Sequence, residues 1–150
     1  THTKVLEILG GSDLSERFDV AAAGQAIEPG TVVCIDPAHE GRLQVSRRPY
    51  DRRVAGIVSG AGGVRPGMIM GQEGTVATGE HPVALTGRVY CRATAANGPI
   101  APGDLLTTSS VPGCAMRVSD PAQAQGAVLG KAMGSHEKGE GLVLVLVGLQ

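Results

Sequence analysis

Two seven-residue stretches repeat one pattern. IEPGTVV at 27–33 and IAPGDLL at 100–106 both run apolar residue, any residue, Pro, Gly, small polar residue, then two apolar residues. Proline fixes φ near −65°, glycine supplies the positive φ of a type II turn, and a strand follows at once. The echo continues downstream: RVAGIV at 53–58 is matched by AVLGKA at 127–132, so the offset is 73 for the turns and 74 for Gly56 against Gly130. A weaker third copy, VRPGMIM, lies at 64–70. A chain that says the same thing twice at this spacing is expected to fold as two related β-lobes packed together.

The composition agrees with many short strands. With 23 Gly and 9 Pro spread between apolar runs, the chain is rich in tight turns, not in a low-complexity tract. It has no Trp, one Phe and two Tyr, so its core is built from aliphatic side chains. Segments 31–36, 42–46, 52–59, 68–70, 82–93, 104–109, 114–119, 126–133 and 141–149 read as strands bounded by Gly, Pro, Asp or Asn. The spacing suits an all-β fold: a small β-sandwich or barrel, or a β-clip-like fold, with at most one or two short helical turns. One such turn is expected over SDLSERF, where Ser12 is a good N-cap and Asp13 and Glu16 fall in the first turn. The other is DPAQAQG at 120–126, with Asp120 as cap and Pro121 at the first helical position. Residues 1–26 read as an N-terminal connecting segment, and 27–150 as the β-rich domain, with pseudo-repeats of about 27–95 and 96–150.

The net charge of −1 and the shortage of aromatic stacking platforms argue against nucleic acid as a partner. No apolar run has membrane-spanning length, and THTKVLEILGG does not read as a cleavable signal. Cys34, Cys91 and Cys114 lack C-x-x-C spacing and read as buried free thiols. The four histidines, His2, His39, His81 and His136, are scattered and without metal-ligand spacing, so neither metal nor cofactor is expected. No G-x-S-x-G elbow and no P-loop is present. A Ser–Lys dyad would use Lys131, in an apolar strand where burial depresses a lysine pKa, with Ser59 or Ser109; the outward face of an edge strand is the plainer expectation for Lys131.

Three features are candidates for contact with a partner. Arg47, Arg48, Arg52 and Arg53 surround Tyr50 in RRPYDRR, where Pro49–Arg52 read as a turn and the guanidinium forks suit bidentate pairing with carboxylates or acidic glycans. Met68, Ile69 and Met70 form an apolar segment inside a long run, 63–82, expected to be a hairpin or exposed loop. The final GLVLVLVGLQ shows no polar alternation, so Leu142, Leu144 and Leu146 are expected to be covered, between layers or between subunits.

The blocks GGSDLSERFDV, PGTVVCIDP, PYDRRVAGIVSGAGG, PVALTGRVYCRA, GPIAPGDLLTTSSVPGCAMRV and GAVLGKAM…GEGLVLVLV resemble a β-rich C-terminal domain of bacterial and phage proteins of tail-fibre or surface-repeat type. The two PG-strand copies are also similar to β-clip modules, including trimeric phage capsid decoration proteins. The resemblance implies the context of a virion or cell-surface assembly; with the residues above, the expectation is a non-catalytic module that self-associates, a trimer being favoured and a filament the alternative, as tip, cap, coat or filament subunit. Glycan or surface-polymer binding, and self-cleavage by the Ser–Lys pair, are the competing expectations.

Overall fold

The Pro-Gly turns open the two halves of the molecule in the same way. In the computed structural model, which describes residues 12–22, 26–63, 68–70 and 81–150, Gly30 and Gly103 share a φ of 94°. The Thr31 N–H closes one turn on Glu28 O (3.2 Å) and the Asp104 N–H closes the other on Ala101 O (3.0 Å). Only glycine takes that φ without steric cost. Strands β3 (Val32–Ile35), β4 (Leu43–Val45) and β5 (Val54–Val58) follow the first turn; β8 (Leu105–Thr108), β9 (Ala115–Arg117) and β10 (Val128–Ala132) follow the second.

The two triplets are in equivalent register. Val33 faces Val45 and Gly56, and at offsets of 73, 72 and 74 Leu106 faces Arg117 and Gly130. Ile35 faces Leu43 as Thr108 faces Ala115. A side chain on Gly56 would be driven into the Ala84 carbonyl, and one on Gly130 into that of Leu146, which is why the echo keeps glycine at both places.

Each triplet is completed into a closed ring. In the second lobe β7 (His81–Thr94), β9, β8, β10 and β11 (Glu140–Val147) pair in that order, and β11 returns to β7 over eight antiparallel positions from Glu140↔Thr94 to Val147↔Gly87. In the first lobe β7 pairs β5, β5 pairs β3 and β3 pairs β4. The return is made by β1 (Ser12–Phe18), antiparallel to β7, and β2 (Val20–Ala21), parallel to β4, with Asp19 alone between them. The parallel pair Val20↔Leu43 has its counterpart in Ala93↔Ala115, again at offsets of 73 and 72. Strand β7 therefore serves twice: its first half closes lobe one, and its second half plays in lobe two the part that β1 and β2 play in lobe one.

This corrects two expectations. SDLSERF is a strand, not a helical turn. Its capping residues give a local helix signal, but seven paired positions along β7 outweigh one turn's worth of capping. Asp13 and Ser15 are buried on it: the Ser15 and Ser59 hydroxyls both donate to Asp13 Oδ2, at 2.8 and 2.5 Å, tying β1 to the end of β5. Residues 12–22 are thus part of the first lobe and not only a connector. The second helix expectation agrees with the structure. Helix α1 (Pro121–Ala124) begins at Asp120, whose side chain accepts from the Ala122 N–H (3.1 Å). The segment 4–9 lies outside the described residues.

Val33, Leu43, Val58 and Val83 fill the first ring, with Phe18, Val20, Ile27 and Leu85 packed against them. Leu106, Leu129, Val143, Val145 and Val147 belong to a larger cluster that also takes in Val32, Ile57 and Ala84 from the outer side of the first lobe. The lobes consequently share one core at their junction.

Candidate functional site: the outer face of the second lobe

The polar turn PYDR is a latch between the lobes. Tyr50 takes a φ of 53°, left-handed and uncommon for a non-glycine residue. Its hydroxyl accepts the N–H groups of Ser119 and Asp120, both at 3.0 Å, at the start of the α1 turn in the second lobe. Burial alone would raise the phenol pKa, but the Ser119 hydroxyl and these two N–H groups outweigh it and lower it. Beside it the Asp51 N–H donates to Thr108 Oγ1 (2.8 Å), and that hydroxyl donates to Arg48 O (2.6 Å). Asp51 also lies next to Cys34, and burial together with this carboxylate pushes the Cys34 thiol up to about 12.

The arginine side chains take no part in the latch, which uses only the Arg48 carbonyl. Arg47, Arg48, Arg52 and Arg53 are all exposed, and Arg48 approaches Asp51 only at 4.0 Å. Arg52 forms a wall of an open polar cleft of about 520 Å³ with Tyr50, Gln123 and Gln125. What grips across the junction is the tyrosine and aspartate between the arginines, which charge counting does not single out.

Lys131 is exposed on β10, not buried. The Ser59 hydroxyl donates to Asp13 and the Ser109 hydroxyl to Cys114 O (2.7 Å). Cys34, Cys91 and Cys114 are buried free thiols, and burial raises the pKa of all three. Among the described residues no group of three or more His, Cys, Asp or Glu could hold a metal ion, and no helix is long and apolar enough to cross a membrane.

The leucines of β11 form the apolar surface. Val143, Val145 and Val147 point into the ring, while Leu142 and Leu146 are 44% and 46% exposed and Leu144 is half-buried. Leu149, just beyond, is 48% exposed. The run lacks polar alternation, yet in the single chain it has one covered face and one open one. Opposite the leucines on β7 stand Arg92, Tyr90 and Arg88. Strand β6 (Met68–Met70) pairs parallel to β1, and the Met68, Ile69 and Met70 side chains lie outside the described residues.

The outer side of the second lobe can be compared with its own counterpart. On the first lobe Val32, Ile57 and Ala84 form a row across β3, β5 and β7, and each is fully buried by the junction. The equivalent row across β8, β10 and β11 is Leu105, Lys131 and Leu146, half-buried, exposed and exposed. Next to Leu105 opens a cleft of about 450 Å³ with apolar walls from Leu105, Val118, Pro121 and Ala124.

The arrangement defines an all-β protein of two related lobes sharing one strand. No protein-family model matches the chain, and no curated protein or solved structure matches it.

Proposed function

We propose that this protein is a non-catalytic assembly module that associates with copies of itself, as tip, cap, coat or filament subunit of a fibre, virion or cell-surface structure. The observation that supports this reading is the open apolar face of β11, with Leu142 and Leu146 outward and valines inward. A strand apolar on both faces is matched to burial on both faces, and the single chain covers only one. Covering the exposed halves of Leu142, Leu146 and Leu149 is worth about 1 kcal/mol each. Sedimentation or multi-angle light scattering at micromolar concentration is expected to show an oligomer, and Leu142→Asp with Leu146→Asp to shift it to monomer. A wild-type chain that stays monomeric under these conditions overturns the proposal.

A second reading, binding of an acidic glycan, draws on the polar cleft lined by Tyr50, Arg52, Gln123 and Gln125. An array of carboxylated and sulfated glycans tests it; a wild-type signal that Arg52→Ala does not reduce removes this cleft as the site.

A further inference from the structure

The junction between the lobes is itself a template for how two molecules meet. The loop joining β8 to β9, residues 109–114, is seated on lobe one. The Gly113 N–H donates to Ser46 O and the Val32 N–H donates to Gly113 O, both at 2.9 Å. A Cβ on Gly113 would lie 3.0 Å from Thr31 Cγ2. The counterpart of this loop in lobe one, residues 36–42 between β3 and β4, has the same internal construction. Its Arg42 N–H closes on His39 O at 3.1 Å, as the Cys114 N–H closes on Val111 O at 3.1 Å. Asp36 Oδ1 accepts the Ala38 N–H (2.9 Å), as Ser109 Oγ accepts the Val111 N–H (3.2 Å). Gly41 has a φ of 82°, against 75° for Gly113. The first loop, however, is seated on nothing: a Cβ on Gly41 would meet no atom within 4 Å.

The receiving surface shows the same asymmetry. Gly30, which accepts the Arg92 N–H at its carbonyl (2.8 Å), is crowded by Ala61 and Arg92 at 3.2 Å; its counterpart Gly103 has nothing within 4 Å. The Ser46 N–H donates to Val32 O (3.0 Å) at the edge where Gly113 docks, and the Val118 N–H donates to Leu105 O (2.8 Å) at the equivalent edge. Leu105 and Val118 are walls of the 450 Å³ cleft. The molecule therefore carries one plug that is seated, one that is free, one socket that is filled and one that is open.

From this we infer that a second copy inserts its 36–42 loop into the cleft between Leu105 and Val118, repeating head to tail the contact that the two lobes make within one chain. The inference rests on the proposed self-association and specifies its geometry. The sequence differences between the lobes fit it. Thr108, which docks on the polar Arg48 and Asp51 backbone, is replaced by Ile35, 52% exposed, and the surface it would meet is the apolar Pro121 and Ala124. Ile57 is replaced by Lys131, and on the arriving strand Arg92 is replaced by Asp19, exposed and 3.9 Å from Arg42, so a cation is added on one side and an anion on the other. Leu146, counterpart of the buried Ala84, becomes covered. Such an interface is heterologous: it yields open chains, or a ring if the rotation between copies closes.

Complementary halves test it. Ile35→Glu spoils the plug and Leu146→Glu spoils the socket, both at exposed positions, with far-UV circular dichroism checking that each variant folds. By sedimentation, wild type is expected to give dimers and larger species with rising concentration. Each variant alone should stay monomeric, and an equimolar mixture should form a one-to-one dimer and go no further. Assembly of Ile35→Glu like wild type while Leu146→Glu is monomeric overturns loop insertion but keeps self-association through β11. Failure of the mixture to dimerise overturns the inference as well, and a monomeric wild type overturns both readings.

Discussion

The two lobes share a register but not an outer surface. Val32, Ile57 and Ala84 on lobe one are completely buried, whereas Leu105, Lys131 and Leu146 occupy the same three positions on lobe two and face outward. The inner rows are conservative by contrast: Val33, Gly56 and Leu85 line the first ring where Leu106, Gly130 and Val147 line the second. The ring architecture is thus set by the inner residues and the paired glycines, and the outer residues decide what each lobe meets. One lobe meets its twin; the other presents leucines around a lysine.

Exchanging the central outer residues breaks the comparison most directly. Ile57→Lys puts an ammonium group where no solvent reaches, and is expected to cost about 4 kcal/mol or more in urea unfolding. The reciprocal Lys131→Ile should change monomer stability by no more than about 0.5 kcal/mol. Equal costs for the two exchanges would show that the rows are not equivalent in the way the register implies.

The glycines give the next largest effect. Gly56→Ala and Gly130→Ala each force a methyl into a neighbouring strand's carbonyl, so each should lose about 2–3 kcal/mol. A large loss at one site with none at the other would separate the lobes energetically. Thr108→Val removes a hydroxyl that both accepts from Asp51 and donates to Arg48, leaving both partners unpaired, at about 2 kcal/mol. Its counterpart Ile35→Thr should leave the monomer within about 0.5 kcal/mol, because Ile35 is exposed in the single chain.

Much of the fold is legible in the sequence for the same reason that the lobes are comparable. Pro-Gly turns and aliphatic runs are local signals, and β3 to β5 and β7 to β11 sit close to where those signals place them. The closing strand β1 is not legible. Its residues Ser12, Asp13 and Glu16 are good helix starters, and its strand character comes from β7, about seventy residues away. The role of Tyr50 is hidden similarly, because its partners, Ser119 and Asp120, belong to the other lobe. The leucines of β11 are visible as an unbroken apolar run, but only the structure shows that valine and leucine are sorted to opposite faces. The paired loops are marked in the sequence by Gly41 and Gly113, 72 residues apart.

Acid sharpens the comparison at the loops, where the effect is smallest. Asp36 is held below the ordinary carboxylate value, first by the Ala38 N–H, which outweighs the opposing pull of burial, and then by His39. A folded-state pKa below the unfolded one contributes stability that is complete above the unfolded value and is lost as pH falls through the folded one. The free 36–42 loop should therefore loosen below about pH 4. The seated loop uses Ser109, which has no such titration, and should hold its shape. Amide exchange at Ala38 and Val111 measured from pH 6 down to pH 3, corrected for the intrinsic rate, checks this. Protection should fall at Ala38 before Val111, and Asp36→Ala should remove the difference in pH dependence. Parallel loss at both amides would mean that the loops respond to global unfolding and not to the aspartate.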